Sequence, residues 1–167
     1  MEIGLSLGTN LGDRLAHLIQ MKKQILAIPG VSLAAQSPVY ETEPVDVPSE
    51  FCNLLFLNSV LIIETLISSH QLMNLFLFIE QKIGRVPSPV ANTPRPADID
   101  IIYAGQLHIE EDHIVIPHPR WAQRRFVVQP LSDVRPELHI PGQSATVSDV
   151  LARLQDPSRV TLFTKTW

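Results

Sequence analysis

The 167-residue sequence predicts an α+β fold in one domain spanning residues 1–167. Three observations carry that expectation. Segments of strand and helix character follow the order strand, helix, strand, strand, helix, strand, which is the order of a ferredoxin-like split β-α-β core. That core is a mainly antiparallel sheet packed on two helices, with loops left free on the other side. The length suits one domain and is too short for two ordinary ones. The 14 prolines avoid residues 1–28 and 49–86, so regular elements can run there.

The elements follow from local chemistry. Residues 3–8 form a strand that ends in the turn Gly8-Thr9-Asn10-Leu11-Gly12-Asp13. Residues 14–28 form a helix with Leu15, Leu18, Ile19, Ile25 and Leu26 near one face, stopped by Pro29-Gly30. Residues 31–40 and 55–64 read as the second and third strands. Ser68 followed three residues later by Gln71 is a capping box. The helix it opens runs to residue 82 or 83, where Gly84 ends it. Residues 99–103 form a fourth strand, followed by a Gly105 turn and an edge ribbon within 106–116. Short helices near 122–131 and 147–154 complete the chain, the last capped by Thr146.

Composition narrows the function. Hydrophobic residues are 45% and charged residues 18%, a globular balance. Thirteen basic and 17 acidic residues give −4, which argues against a broad nucleic-acid groove or an anionic-membrane surface while leaving room for a local phosphate site. Cys52 is the lone cysteine, so neither an internal disulfide nor a zinc knuckle forms. The start Met1-Glu2-Ile3 has no basic leader, and we expect a cytoplasmic protein. The apolar run 54–67 is interrupted by Asn58, Ser59 and Glu64 and is too short to span a bilayer; it suits a buried strand and a turn.

The sharpest chemical feature is Asp98-Ile99-Asp100. Residues two apart on a strand point to one face. Both carboxylates therefore project together while Ile99 and Ile101 enter the core. Such a pair holds a hard cation, as Mg²⁺ is held by one or two carboxylates plus phosphates, or it simply ion-pairs with Arg95. Arg85, Arg95, Arg120, Arg124 and Arg125 surround the pair in sequence, with no lysine among them. Arginine grips phosphate with a planar fork; surface ion pairing is the plainer alternative. His118 lies between Pro117 and Pro119 and could hydrogen-bond a phosphate or a base, or simply end a strand. Phe56 and Phe126 could stack on a flat heterocycle or fill the core, and Asn58 offers a donor and an acceptor. The 8–13 turn lacks the spacing of a Walker loop and of a dinucleotide fingerprint. No nucleophile elbow is present, and Cys52 has no basic neighbour in sequence.

In order along the chain stand Gly8-Thr9-Asn10-Leu11-Gly12-Asp13, Tyr40-Glu41-Thr42-Glu43-Pro44 and Phe56-Leu57-Asn58-Ser59-Val60. Ile79-Glu80 and Gly84-Arg85 follow, then Pro94-Arg95 through Asp100, Ile116-Pro117-His118-Pro119-Arg120, Arg124-Arg125-Phe126 and Pro130-Leu131. The series resembles the 6-hydroxymethyl-7,8-dihydropterin pyrophosphokinases of folate biosynthesis. The resemblance implies transfer of an intact pyrophosphoryl group from ATP to the hydroxymethyl oxygen of the pterin, with release of AMP. It implies that Asp98 and Asp100 bind two Mg²⁺ ions. It places the pterin between Phe56 and Phe126, with Asn58 and the backbone of Thr42, Glu43, Pro44 and Val45 reading its edge. It assigns Glu80, Arg85, Arg95, His118 and Arg124 to the ATP side, with Arg85 and Arg95 joining the two aspartates in catalysis and Asp100 a candidate proton acceptor. It also implies mobile loops over the site and a functional partner, dihydropteroate synthase, on a separate chain.

The chain departs from that pattern in one loop. Many members carry an arginine where Pro87 stands, and further basic residues and a tryptophan beyond it. Here residues 86–94 hold no charge, and Asn92 takes the aromatic position. This implies weaker ATP binding or slower closure. Phe56 replaces a common tyrosine and keeps the stacking face. Two other readings stay open on the residues alone: another Mg-dependent nucleotidyl or phosphoryl transferase, and a non-catalytic ferredoxin-like ligand-binding module.

Overall fold

Alternation in the first strand sets the architecture. In β1 (Glu2–Thr9), Ile3, Leu5 and Leu7 are fully buried against one face. Gly4, Ser6 and Gly8 turn to the other. The computed structural model describes residues 1–90 and 92–167. After β1 come α1 (Arg14–Leu26), β2 (Val31–Gln36), β3 (Val39–Thr42), β4 (Phe56–Thr65), α2 (Ser69–Ile83) and β5 (Asp98–Ala104). They are followed by β6 (Ile109–Glu111), β7 (Ile114–Ile116), α3 (Arg125–Val134), α4 (Val147–Arg153) and β8 (Val160–Thr164). The main sheet runs β5-β1-β4-β3-β8, with β2 also on β4, and the pairings are antiparallel. This is the expected split β-α-β order with one strand added at the edge.

The expected strand over 31–40 is two strands. β2 pairs with the far half of β4 and β3 with the near half. The break falls at Ser37-Pro38, where proline has no N–H to give the ladder. Ser37 repairs it: its N–H donates to Val60 O at 2.9 Å, and its Oγ accepts from Val60 N at 2.9 Å. Helix ends follow sequence chemistry closely. Asp13 caps α1, the Ser68–Gln71 box caps α2, and Thr146 with Asp149 caps α4. Gly84 closes α2 in the left-handed region at φ 111°. The expected helix over 122–131 is instead a 3-10 turn, Trp121–Gln123, followed by α3 after an extended Arg124. The expected ribbon is the β6–β7 hairpin, which forms its own two-stranded sheet.

The second face of the sheet carries helices as well as the expected loops. α1 and α2 cover the face carrying Leu5, Leu7, Leu61 and Ile63, through Leu18, Met21, Leu72 and Phe76. α3 and α4 cover half of the opposite face, where Val60, Ile62, Ile102 and Tyr103 meet Trp121, Val127, Val128, Leu131 and Val147. β4 is apolar on both sides, so both sides need cover. A register shift between Gly4 and Leu5 brings Ile102 and Tyr103 into the same cluster. Tyr103 lies so close over Gly4 that any side chain there would collide with its ring. The other half of this face, at the Gly8 end of β1, stays open.

Candidate active site

The open half-face gathers most of the predicted residues. One cavity is lined by Ser6, Gly8, Val45, Phe56, Asn58, Arg95, Asp98, Asp100, Arg124 and Phe126, with Val47 and Asn92 at its loops. The sheet explains the convergence. Gly8 pairs with both Asn58 and Asp98, and Ser6 with Asp100, so three adjacent strands present these side chains together. Ser6 and Gly8 escaped the sequence reading. Their signal was the run of small residues on one face of β1. A Cβ on Gly8 would stand 2.9 Å from Asn58 Oδ1, so glycine makes room for that amide.

Asn58 is only 4% exposed, and its Nδ2 donates to Thr42 Oγ1 at 2.7 Å. A buried amide needs such a partner. Thr42 thus fixes the amide from β3. Glu43 does not enter the cavity. Its carboxylate faces Arg159, and its N–H donates to Arg159 O at 3.2 Å. Phe56 and Phe126 each lie near an arginine, Arg95 at 5.9 Å and Arg124 at 5.5 Å from the ring centroids.

The two aspartates differ. Asp98 is held on both oxygens, by Arg85 at 2.8 Å and Arg95 at 2.6 Å. Arg85 also pairs with Glu80 at 2.7 Å. Glu80 is 3% exposed, and the same oxygen accepts the Ile99 N–H at 2.7 Å, while Oε2 has no protein partner among the described residues. Burial raises the Glu80 carboxyl pKa against the pull of Arg85. Asp100 has no ion pair among the described residues. Burial, and then the charge of Asp98, push its carboxyl up to about 7. Two carboxylates crowded together with one unpaired make a site that gains from a cation. Among the described residues, no group of three or more His, Cys, Asp or Glu forms a closed metal cage. The donor set therefore suits a hard cation whose remaining ligands come from phosphate.

A groove beside this cavity is lined by Leu77, Glu80, Gly84, Arg85, Pro87 and Arg95. A third hollow joins Asp100 to Met73, Val115 and His118. The His118 Nδ1 accepts the Arg120 N–H at 3.1 Å, which leaves the ring proton on Nε2. Burial, with Arg124 and Arg120 nearby, pushes its pKa down to about 4. His118 is thus a neutral donor beside the aspartates. Arg120 is exposed, 3.5 Å from Asp46. Arg125, grouped with the phosphate-gripping arginines by its place in sequence, turns instead toward the C-terminal segment. Asn92 sits in the left-handed region at φ 57° and its Nδ2 donates to Asp46 O at 2.7 Å, tying the 86–94 loop to the loop after β3.

Residues 4–136 match the family 7,8-dihydro-6-hydroxymethylpterin-pyrophosphokinase. The chain belongs to this family. It is 35% identical to a 2-amino-4-hydroxy-6-hydroxymethyldihydropteridine pyrophosphokinase of Methylorubrum extorquens, over 93% of this chain and 94% of that one. It is 33% identical to the Bacillus subtilis protein of the same name, over 84% and 82%. A crystal structure of Plasmodium falciparum HPPK-DHPS with pteroate superposes with a TM-score of 0.68 at 14% identity, a likeness in fold. The match covers 90% of this chain and 42% of that one, so the chain spans under half of the larger protein. Family membership settles the reaction class: ATP-dependent pyrophosphoryl transfer to hydroxymethyldihydropterin in folate biosynthesis. The two other readings of the residues give way to it. Among the described residues, no helix is long and apolar enough to cross a membrane.

Proposed function

We propose that the open half-face is the catalytic centre of a single pyrophosphokinase domain over residues 1–167, with the pterin and the ATP phosphates meeting at Asp98 and Asp100. The observation that carries this reading is one cavity lined by two aromatic rings, a fixed amide, two aspartates and two arginines. The pterin stacks between Phe56 and Phe126. Asn58 Oδ1 accepts from its edge, while Thr42 holds the amide in place. The Glu43 N–H is already taken by Arg159, and Pro44 has no N–H. The Val45 amide and the carbonyls of this stretch then read the pterin edge.

Asp98 and Asp100 would hold two Mg²⁺ ions, which supply positive charge against the phosphates and make the acceptor hydroxyl a better nucleophile. Arg85 and Arg95, the cations bonded to Asp98 among the described residues, then turn toward phosphate oxygens. Glu80 anchors Arg85 during that turn. His118 donates from Nε2 to a phosphate oxygen, and Arg124 adds charge from the α3 side. These groups act by positioning and neutralisation, which dominate phosphoryl-type transfer. A cytoplasmic setting goes with this reading, since exposed, unpaired Cys52 suits a reducing compartment. Dihydropteroate synthase, joined to this domain in larger proteins such as the Plasmodium HPPK-DHPS, is a functional partner.

The test separates the two halves of the site. Phe126→Ala should weaken pterin binding and leave ATP binding near its starting value. Asp98→Asn should remove Mg²⁺-dependent turnover while pterin still binds. Pterin affinity untouched by Phe126→Ala, or normal turnover in Asp98→Asn, contradicts the assignment.

A further inference from the structure

α3 begins directly at the site, yet it lacks a cap of its own. Arg124 occupies the N-cap position and its side chain makes no capping bond. The first amide of the helix, Arg125 N, donates instead to Asp156 Oδ2 at 2.7 Å, from 31 residues further along. Asp156 is held in turn, its Oδ1 accepting Ser158 N at 2.9 Å. The Arg125 guanidinium reaches back, giving Nε to Asp156 O and Nη2 to Leu154 O, both at 3.1 Å. Three hydrogen bonds thus tie the start of α3 to Leu154 and Asp156. A carboxylate at a helix N-terminus also meets the positive end of the helix dipole.

The residues on either side of Arg125 are Arg124 and Phe126, and both line the cavity. The same C-terminal segment continues to the opposite wall. Arg159 N donates to Glu43 Oε2 at 3.1 Å and Arg159 O accepts Glu43 N at 3.2 Å. Val160 then pairs with Thr42, the residue that fixes Asn58. The segment 156–160 therefore bridges the aromatic wall and the amide wall. It lies beyond residues 4–136, the part that matches the family.

We propose that Asp156 is a positioning residue for the pterin side of the site: through Arg125 it sets the placement of Phe126 and Arg124 against Asn58. The inference rests on the pterin reading given above. Asp156 touches no reacting group, so its effect must appear as a selective loss of pterin affinity. The test uses the full chain and measures the affinity of 6-hydroxymethyl-7,8-dihydropterin, the affinity of a non-hydrolysable ATP analogue with Mg²⁺, and the melting temperature. Asp156→Ala should weaken pterin binding about ten-fold or more, as small misplacements of binding groups do. ATP-analogue affinity should fall clearly less than pterin affinity, because Arg124 is the one phosphate-side cation that adjoins Arg125, while Arg85 and Arg95 are held at Asp98. Asp156→Asn keeps an acceptor for Arg125 N and should recover most of the loss. Pterin affinity unchanged in Asp156→Ala overturns the proposal, as does a parallel loss for both ligands that tracks melting temperature. Should Asp156→Ala fail to fold, Arg125→Ala removes the two side-chain bonds and faces the same two outcomes. Phe126→Ala in the same series separates the failures: if it leaves pterin affinity intact, the pterin reading fails rather than the clasp.

Discussion

Asp98 and Asp100 stand two residues apart on one strand, yet their surroundings differ. Asp98 is neutralised by Arg85 and Arg95, while Asp100 is half-buried without an ion-pair partner among the described residues. Replacing either by asparagine removes charge without removing volume. Each change should lower turnover by roughly 100-fold or more, the scale of losing a transition-state electrostatic group. Pterin affinity, read separately by titration, should change little. His118 makes a different prediction. With its pKa near 4 it is neutral through the working range. Its protonation should therefore add no limb to kcat/KM between about pH 5.5 and 8. A limb in that window that disappears in His118→Gln contradicts the neutral-donor role. Pro87 lines the groove beside Glu80 and Arg85, in a loop without charge. Pro87→Arg should tighten ATP binding, and an unchanged ATP affinity and turnover would remove the loop from the account.

Among the elements, β1 and β5 are joined at their far ends by a small charged network. Glu2 accepts from Tyr103 OH at 2.6 Å and from Arg135 Nη2 at 2.7 Å. Partial burial alone would raise the Glu2 pKa, but the bonds from Arg135 and Tyr103 and the Arg135 charge hold it below its ordinary value. A carboxyl depressed in the fold adds stability that is fully present above its unfolded pKa and is lost as pH falls through the folded value. Glu2→Gln should cost about 1 kcal/mol at neutral pH, discounted for partial exposure. The gap should close in acid, and urea unfolding at pH 7 and near pH 3 checks it; an equal gap at both contradicts the network's role. The capped helices were legible because Ser68, Gln71, Gly84 and Thr146 act within a few residues of themselves. The break at Ser37-Pro38 and the late start of α3 were not. Both depend on distant partners: Val60 accepts and donates across the sheet at Ser37, and Asp156 meets Arg125.

At the scale of the whole molecule, the strand order was readable from the alternation of elements, but the cover on the second face was not. Its cause, apolar residues on both sides of β4, is present in the sequence. Which elements supply the cover is a tertiary matter, settled by the packing of Trp121, Val128 and Leu131 on Val60 and Ile62. β8 was missed because its short uncharged run gains strand character only by pairing with β3. The site residues were named from motifs in order. Their meeting on one half-face follows from register, Gly8 opposite Asn58 and Asp98. Gly8 itself becomes legible only once that close approach is known. The central claim is that this half-face brings ATP and pterin together on two aspartates. The most direct measurement follows nucleotide and pterin products with ATP, Mg²⁺ and 6-hydroxymethyl-7,8-dihydropterin, in the native chain and in Asp98→Asn. AMP and pterin diphosphate should form in equal amounts with the native chain, be abolished by EDTA and be nearly lost in the variant. Asp98→Asn turning over at the native rate, or AMP formation indifferent to EDTA, would contradict that claim.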